Sequence, residues 1–337
     1  MIKDLQHLTS FCCPSGYEND ICQFLVNEFH NLNVEYYVDA VGNVIVKKNG
    51  TQDNSIMLMA HMDEVGLMVT FIDDNGYIYF DKVGGVMPEI IPGVQVVIRH
   101  SQSTVNGIVG VPIWDRDHHL DCHFGGLWID IGARSKEEAL ELVAVGDYVS
   151  YSPSFLRLNN DLICSKSLDN RVGVYIILQV FKRLAQDVTE KNIYAVFSAK
   201  EEIGCIGSVS ATCSINPVEG IIVDMTHATD YPTCEPTRRG DIRINQGVAI
   251  GVGADTSIAI SQKLIQLSQK NGIRYQIEPF TQNSYTEANA VQKVNSGVKT
   301  SVVSIPCRYM HSPQEICGLK DIEEAIRLLC LYCSGKR

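Results

Sequence analysis

No run in this chain approaches 18 apolar residues, so no segment of it reads as a membrane-spanning helix. Positive charge is in short supply too. The chain has 28 lysines and arginines against 39 aspartates and glutamates, a formal net charge of −11. An acidic chain repels phosphate backbones, which argues against nucleic acid as a partner. The opening residues, MIKDLQHLTSFCCPSG, lack the apolar stretch and small-residue cleavage site of a secretory signal. No G-x-S-x-G elbow occurs, so Ser/His/Asp catalysis finds no support. Internal repeats and low-complexity segments are absent as well. Cysteine is plentiful at 12, but its spacing is irregular and a chain of 337 residues is too large to need staples. These features predict reduced thiols, mostly packed as small hydrophobes, in a cytoplasmic protein. The close pair Cys330 and Cys333 has no second pair or histidine near it, which disfavours a zinc or redox role.

What is present points to an α/β protein. Apolar residues recur at helical spacing over 2–11 and 17–30, and strand-like segments follow at 34–39 and 42–47. The run 56–60 is continuously apolar, which suits a strand covered on both faces. From about 69 to 162 short strand-like pieces alternate with Gly, Pro, Asn and Asp, and a single helix is expected near 135–143. Beyond 170, helices (170–184, 257–271, 287–294, 319–333) alternate with strands (192–199, 220–223, 273–279, 300–305). The expected architecture is a mixed, largely parallel sheet flanked by helices, formed by 1–68 and 163–337. A small β-barrel-like domain is inserted at 69–162.

Five short segments carry candidate chemistry. His61 follows the apolar strand, and Asp63 is placed to accept from its other ring nitrogen. Asp169 stands where a helix cap belongs, ahead of an apolar helix. Glu201 and Glu202 end another buried strand; like charges that close repel unless cations or a proton compensate. Asp224 follows the strand expected over 220–223, and His311 comes after the strand expected over 300–305. Each is ordinary alone. Together, two histidines and several carboxylates without cysteine form a donor set for divalent cations, and they gather where open α/β sheets bind ligands. One carboxylate is left over for base catalysis, which is the inventory of a two-metal hydrolase.

The segments AHMDEVG, SLDNR, KEEIG, VDMTHATD and RYMHSP, in that order along essentially the whole chain, resemble the glutamyl or tetrahedral (TET) aminopeptidases of peptidase family M42. The resemblance implies an aminopeptidase acting on short peptides with two divalent cations, zinc or cobalt. It implies that His61 and Asp224 complete one site, Glu202 and His311 the other, and that Asp169 bridges both. Glu201 would serve as general base and acid, and Asp63 would orient His61. It also implies that the inserted domain mediates dimerisation and that dimers build a hollow dodecamer.

Some positions depart or stay open. Tyr285-Thr286-Glu287-Ala288 stands where relatives are expected to carry Gly-Thr-Asp-Ala, which would narrow or recharge the substrate pocket. His118, His119, Asp121 and His123 cluster within the inserted block, where a loop or subunit contact is favoured over a further metal. Arg238-Arg239-Gly240 reads as a solvated basic turn. Alternatives are a related binuclear carboxypeptidase or aminoacylase, whose insert usually comes later in the chain, and a non-catalytic assembly scaffold. An endoglucanase needs two metal-free carboxylates flanking a sugar bond, and here the carboxylates are better used as ligands.

Overall fold

The computed structural model describes residues 1–111 and 123–335. Its main sheet runs, edge to edge, Glu35–Val38, Val44–Lys48, Asn192–Ser198, Ser55–His61, Glu219–His227, Lys299–Arg308, Glu315–Gly318, Leu162–Ser165 and Phe155–Leu158. Val248–Gly253 and Tyr275–Phe280 branch from Lys299–Arg308. The sheet is mixed. Its four central strands pair in parallel, as do the two branch strands with each other, while the outer pairings are antiparallel.

The strand Ser55–His61 explains the layering. Every residue in it is buried. Ile56, Leu58 and Ala60 join one hydrophobic cluster, with the helices Ile2–Ser10, Leu168–Leu184 and Leu319–Ser334. Met57 and Met59 join another, with Ala211 and Ala288 from Ile206–Ile215 and Glu287–Val291. Side chains alternate across a strand, so a run apolar at every position must be covered on both faces.

Between Gly66 and Tyr151 the described chain forms a closed barrel, in the order Gly66–Ile72, Ile78–Val83, Ile129–Asp130, Ser103–Val109, Gln95–His100 and Tyr148–Tyr151. It has its own interior, with Leu67 and Val69, Val96 and Ile98 pointing in at period two. Where the chain enters the barrel, buried Glu64 accepts from Lys166 Nζ at 2.6 Å and from the Cys13 amide at 2.8 Å. No described helix is long and apolar enough to cross a membrane.

Candidate metal centre

Parallel central strands bring their carboxyl ends to one edge, and the candidate residues collect there. His61 is the last residue of its strand. Glu201 and Glu202 lie just past Asn192–Ser198, and His311 just past Lys299–Arg308. Asp224 differs from expectation, lying inside Glu219–His227 and not after its end. Its neighbour pairs with that strand out to His227↔Cys307, so the ladder holds it extended beyond Asp224.

The segment around Asp169 also corrects the sequence reading. Asp169 and Asn170 have non-helical dihedrals, and the peptide between them is cis. The cap is Asn170, whose Oδ1 accepts from the Gly173 amide at 2.9 Å while its Nδ2 donates to the Val223 carbonyl at 2.8 Å. A Cβ on Gly173 would meet Asn170 Oδ1 at 2.2 Å, so only glycine admits this cap. The Asp169 carboxylate is thereby left for the cleft.

One oxygen of that carboxylate faces each histidine. Asp169 Oδ1 is 3.2 Å from His61 Nε2, and Oδ2 is 3.4 Å from His311 Nε2. Asp224 Oδ1 stands 3.8 Å from His61 Nε2, and Glu202 Oε1 stands 3.1 Å from His311 Nε2. Donor atoms of His61, Asp169 and Asp224 lie within 4.8 Å of one another, and so do those of Asp169, Glu202 and His311. His61, Glu201 and Glu202 form a third such group. Asp169 Oδ1 is buried yet accepts no well-aligned hydrogen bond. An orphaned carboxylate oxygen among imidazoles and carboxylates is a donor set that fits divalent cations.

Three further residues hold the donors in place. Asp63 Oδ1 sits 3.4 Å from His61 Nδ1, and the Asp63 backbone carbonyl lies nearer to it, at 3.2 Å. Asp63 also accepts from the amides of Glu201 and Glu202 at 3.1 and 3.2 Å, so one carboxylate aligns both strand ends. Buried Glu315 was missed by sequence reasoning. Its Oε1 accepts from the His311 amide at 2.7 Å and its Oε2 from the Asp169 amide at 2.9 Å. The available signal was a carboxylate four residues beyond a candidate histidine. Gly85, from the barrel segment, was missed as well; its carbonyl lies 3.2 Å from His311 Nδ1. A Cβ there would come within 2.7 Å of that nitrogen. Gly85→Ala is therefore expected to displace the ring and to lower metal affinity and activity by about 10–100-fold. Metal titration and initial rates check this, and a wild-type affinity would rule it out.

The electrostatics are those of crowded buried acids. Burial pushes the Glu201 carboxyl up to about 8, with Glu202 and Glu287 adding to the rise and His61 opposing it. Burial likewise raises Glu202 and Asp224. For His311, burial works against the imidazolium, but the carboxylates of Asp169 and Glu202 carry it up to about 12. So much negative charge in one buried place calls for positive charge.

The two departing positions separate in space. Tyr285 projects into the cleft, 83% exposed. Glu287 is fully buried behind the cluster, and burial pushes it up to about 8, with the Ser198 hydroxyl opposing the rise. His118, His119 and Asp121 lie outside the described residues, as do the side chains of Arg238 and Arg239; His123 is exposed. Cys333 is buried and Cys330 half-buried along the final helix.

A family model described as M42 glutamyl aminopeptidase matches residues 42–328. The chain is 35% identical over 335 residues to a putative aminopeptidase of Acetivibrio thermocellus, covering 98% of this chain and 97% of that one. It is 32% identical to the lysyl aminopeptidase of Pyrococcus furiosus, over 93% and 91% of the two chains. Among solved structures, the TET1 peptidase of Pyrococcus horikoshii, described as assembling into a tetrahedron or a large octahedral shell, superposes with a TM-score of 0.88. Identity to it is 31%, over 98% of each chain.

Proposed function

The chain belongs to the M42 glutamyl aminopeptidase family, and from this premise we propose that it removes N-terminal residues from short peptides using two divalent cations. It is a metal-dependent peptide hydrolase. The observation that carries the two-cation reading is the Asp169 carboxylate, with one oxygen toward His61 and the other toward His311. His61, Asp169 and Asp224 would hold one ion, and Asp169, Glu202 and His311 the other. Such ions, zinc or cobalt, would supply Lewis-acid polarisation of the scissile carbonyl and acidify the attacking water.

The remaining work falls to the chain's own residues. Glu201 lies 4.0 Å from His61 Nε2 through its Oε2, while its Oε1 accepts from Cys205 Sγ at 3.3 Å. Oε2 is thus the oxygen available to take the proton of water as it adds to the carbonyl. The same carboxyl then delivers that proton to the leaving nitrogen as the C–N bond breaks. Asp63, bonded to both adjacent amides, keeps Glu201 and Glu202 in register with His61. A free α-amine is drawn to this acidic end of the cleft, which favours cleavage of the first peptide bond.

We assign the barrel to subunit contacts in a homo-oligomer; its strands run from Gly66 to Tyr151, so of the inserted unit expected at 69–162 the strand Phe155–Leu158 goes instead with the main sheet of the catalytic unit expected at 1–68 and 163–337. Phe71, Met87, Leu142 and Val145 stand exposed on it, and a TET1 relative assembles into a shell. The free cysteines among the described residues support a reducing, cytoplasmic setting.

Aminoacyl-p-nitroanilides with and without chelator, beside N-acetylated controls, test the activity. The expected result is hydrolysis of free amines alone, lost on chelation and restored by zinc or cobalt. Cleavage of the acetylated controls, or indifference to the chelator, would overturn it.

A further inference from the structure

Two cavities meet at the candidate centre. One, of about 960 Å³, extends past Asp224, Thr229, Glu278, Phe280 and Met310. The other, of about 850 Å³, extends past Cys205, Val209, Ala290, Lys293 and Val294. Glu201, Glu202, Asn283, Tyr285, Thr286 and His311 line both. The reacting groups and Tyr285 therefore stand at the common boundary.

Tyr285 is held there in a backbone conformation that costs a side chain energy. Its φ is +57°, in the left-handed region where a side chain is disfavoured. The stalk on either side is anchored. Ser284 Oγ donates to Asp255 Oδ2 at 2.5 Å, the Tyr285 amide donates to Asn283 Oδ1 at 2.8 Å, and Thr286 caps the following helix. A fixed backbone thus presents a large ring to solvent beside the scissile position.

Charge orients the two cavities. The first carries Asp224, Glu235 and Glu278 in addition to the shared acids, so it suits the ammonium end of a peptide. Among the described residues the second has no acid beyond Glu201 and Glu202, and it carries Lys293 with an apolar wall of Val209, Ala290 and Val294. It suits the leaving chain.

Resting on the aminopeptidase reading above, we infer that Tyr285 is a specificity-determining residue. Its ring forms the lip between the two subsites and packs on the side chain of the residue following the scissile bond. Peptides with an apolar second residue are the favoured substrates.

The test compares kcat/KM for Ala-Leu-Ala and Ala-Gly-Ala in wild type, Tyr285→Gly and Tyr285→Phe, all metal-loaded. Glycine adopts positive φ without strain, so the Gly variant keeps its fold. Wild type is expected to prefer the leucine peptide by about tenfold. Tyr285→Gly brings the ratio close to one, chiefly through KM, and Tyr285→Phe retains the preference. An unchanged ratio in Tyr285→Gly, no preference in wild type, or collapse in Tyr285→Phe would each overturn the inference. Wild type that cleaves neither peptide would instead overturn the aminopeptidase reading, and this inference with it.

Discussion

Glu201→Gln is expected to lower turnover by about 10²–10⁴-fold while bound metal stays at the wild-type level. Glutamine matches glutamate in size and can still accept from Cys205 Sγ, which lies 3.3 Å from Oε1. The backbone is unaffected, because Asp63 holds residue 201 through its amide. What the variant lacks is a group that takes a proton and returns it. Neither donor group that contains Asp169 includes Glu201, so both survive the change. Single-turnover rates with elemental analysis make the comparison. Full activity would remove Glu201 from proton transfer, and loss of metal would make it a ligand. The adjacent Glu202→Gln provides the contrast. Its carboxylate lies 3.1 Å from His311 Nε2, so metal content and activity are expected to fall together.

The second large effect is on stoichiometry. Asp169→Asn is expected to bind less metal per chain than His61→Ala or His311→Ala, each of which damages one of the two donor groups that share Asp169 and spares the other. Asp169 belongs to two of the donor groups, one through each histidine. Asparagine keeps the volume and offers one neutral oxygen in place of two anionic ones, so both ions lose a charged partner. The amide of residue 169 still donates to Glu315, which preserves the local backbone. Elemental analysis of dialysed protein reads the result. Metal content equal to that of the histidine variants would refute the bridge.

Much of this site was legible beforehand, and the reasons are local. His61 could be found because a wholly apolar strand before it marks a sheet covered on both faces, and the ends of such strands are where ligands bind. The acid pair Glu201 and Glu202 stood out for the same reason. The helix Ile206–Ile215 was not anticipated. Apart from Ala211, its residues, Gly, Ser, Val, Thr and Cys between two isoleucines, have modest helical preference, and Ala211 packs under the sheet. Asp224 was placed one residue beyond a strand that in fact runs on to His227, since strand length there is set by a partner about 80 residues away.

Residue type and periodicity belong to short stretches of chain, and they suffice to name the candidate donors and the layered α/β sheet. They do not say that Asn170 caps the helix and frees Asp169, nor which Asp169 oxygen meets which imidazole. They do not say that Glu315 ties His311 to Asp169, that a barrel glycine abuts His311, or that Glu287 turns inward while Tyr285 faces the cleft. Most of these depend on segments far apart in sequence, up to 226 positions, meeting within a few ångströms. Packing decides such meetings, because the same side chain serves as cap, ligand or lip according to what is pressed against it.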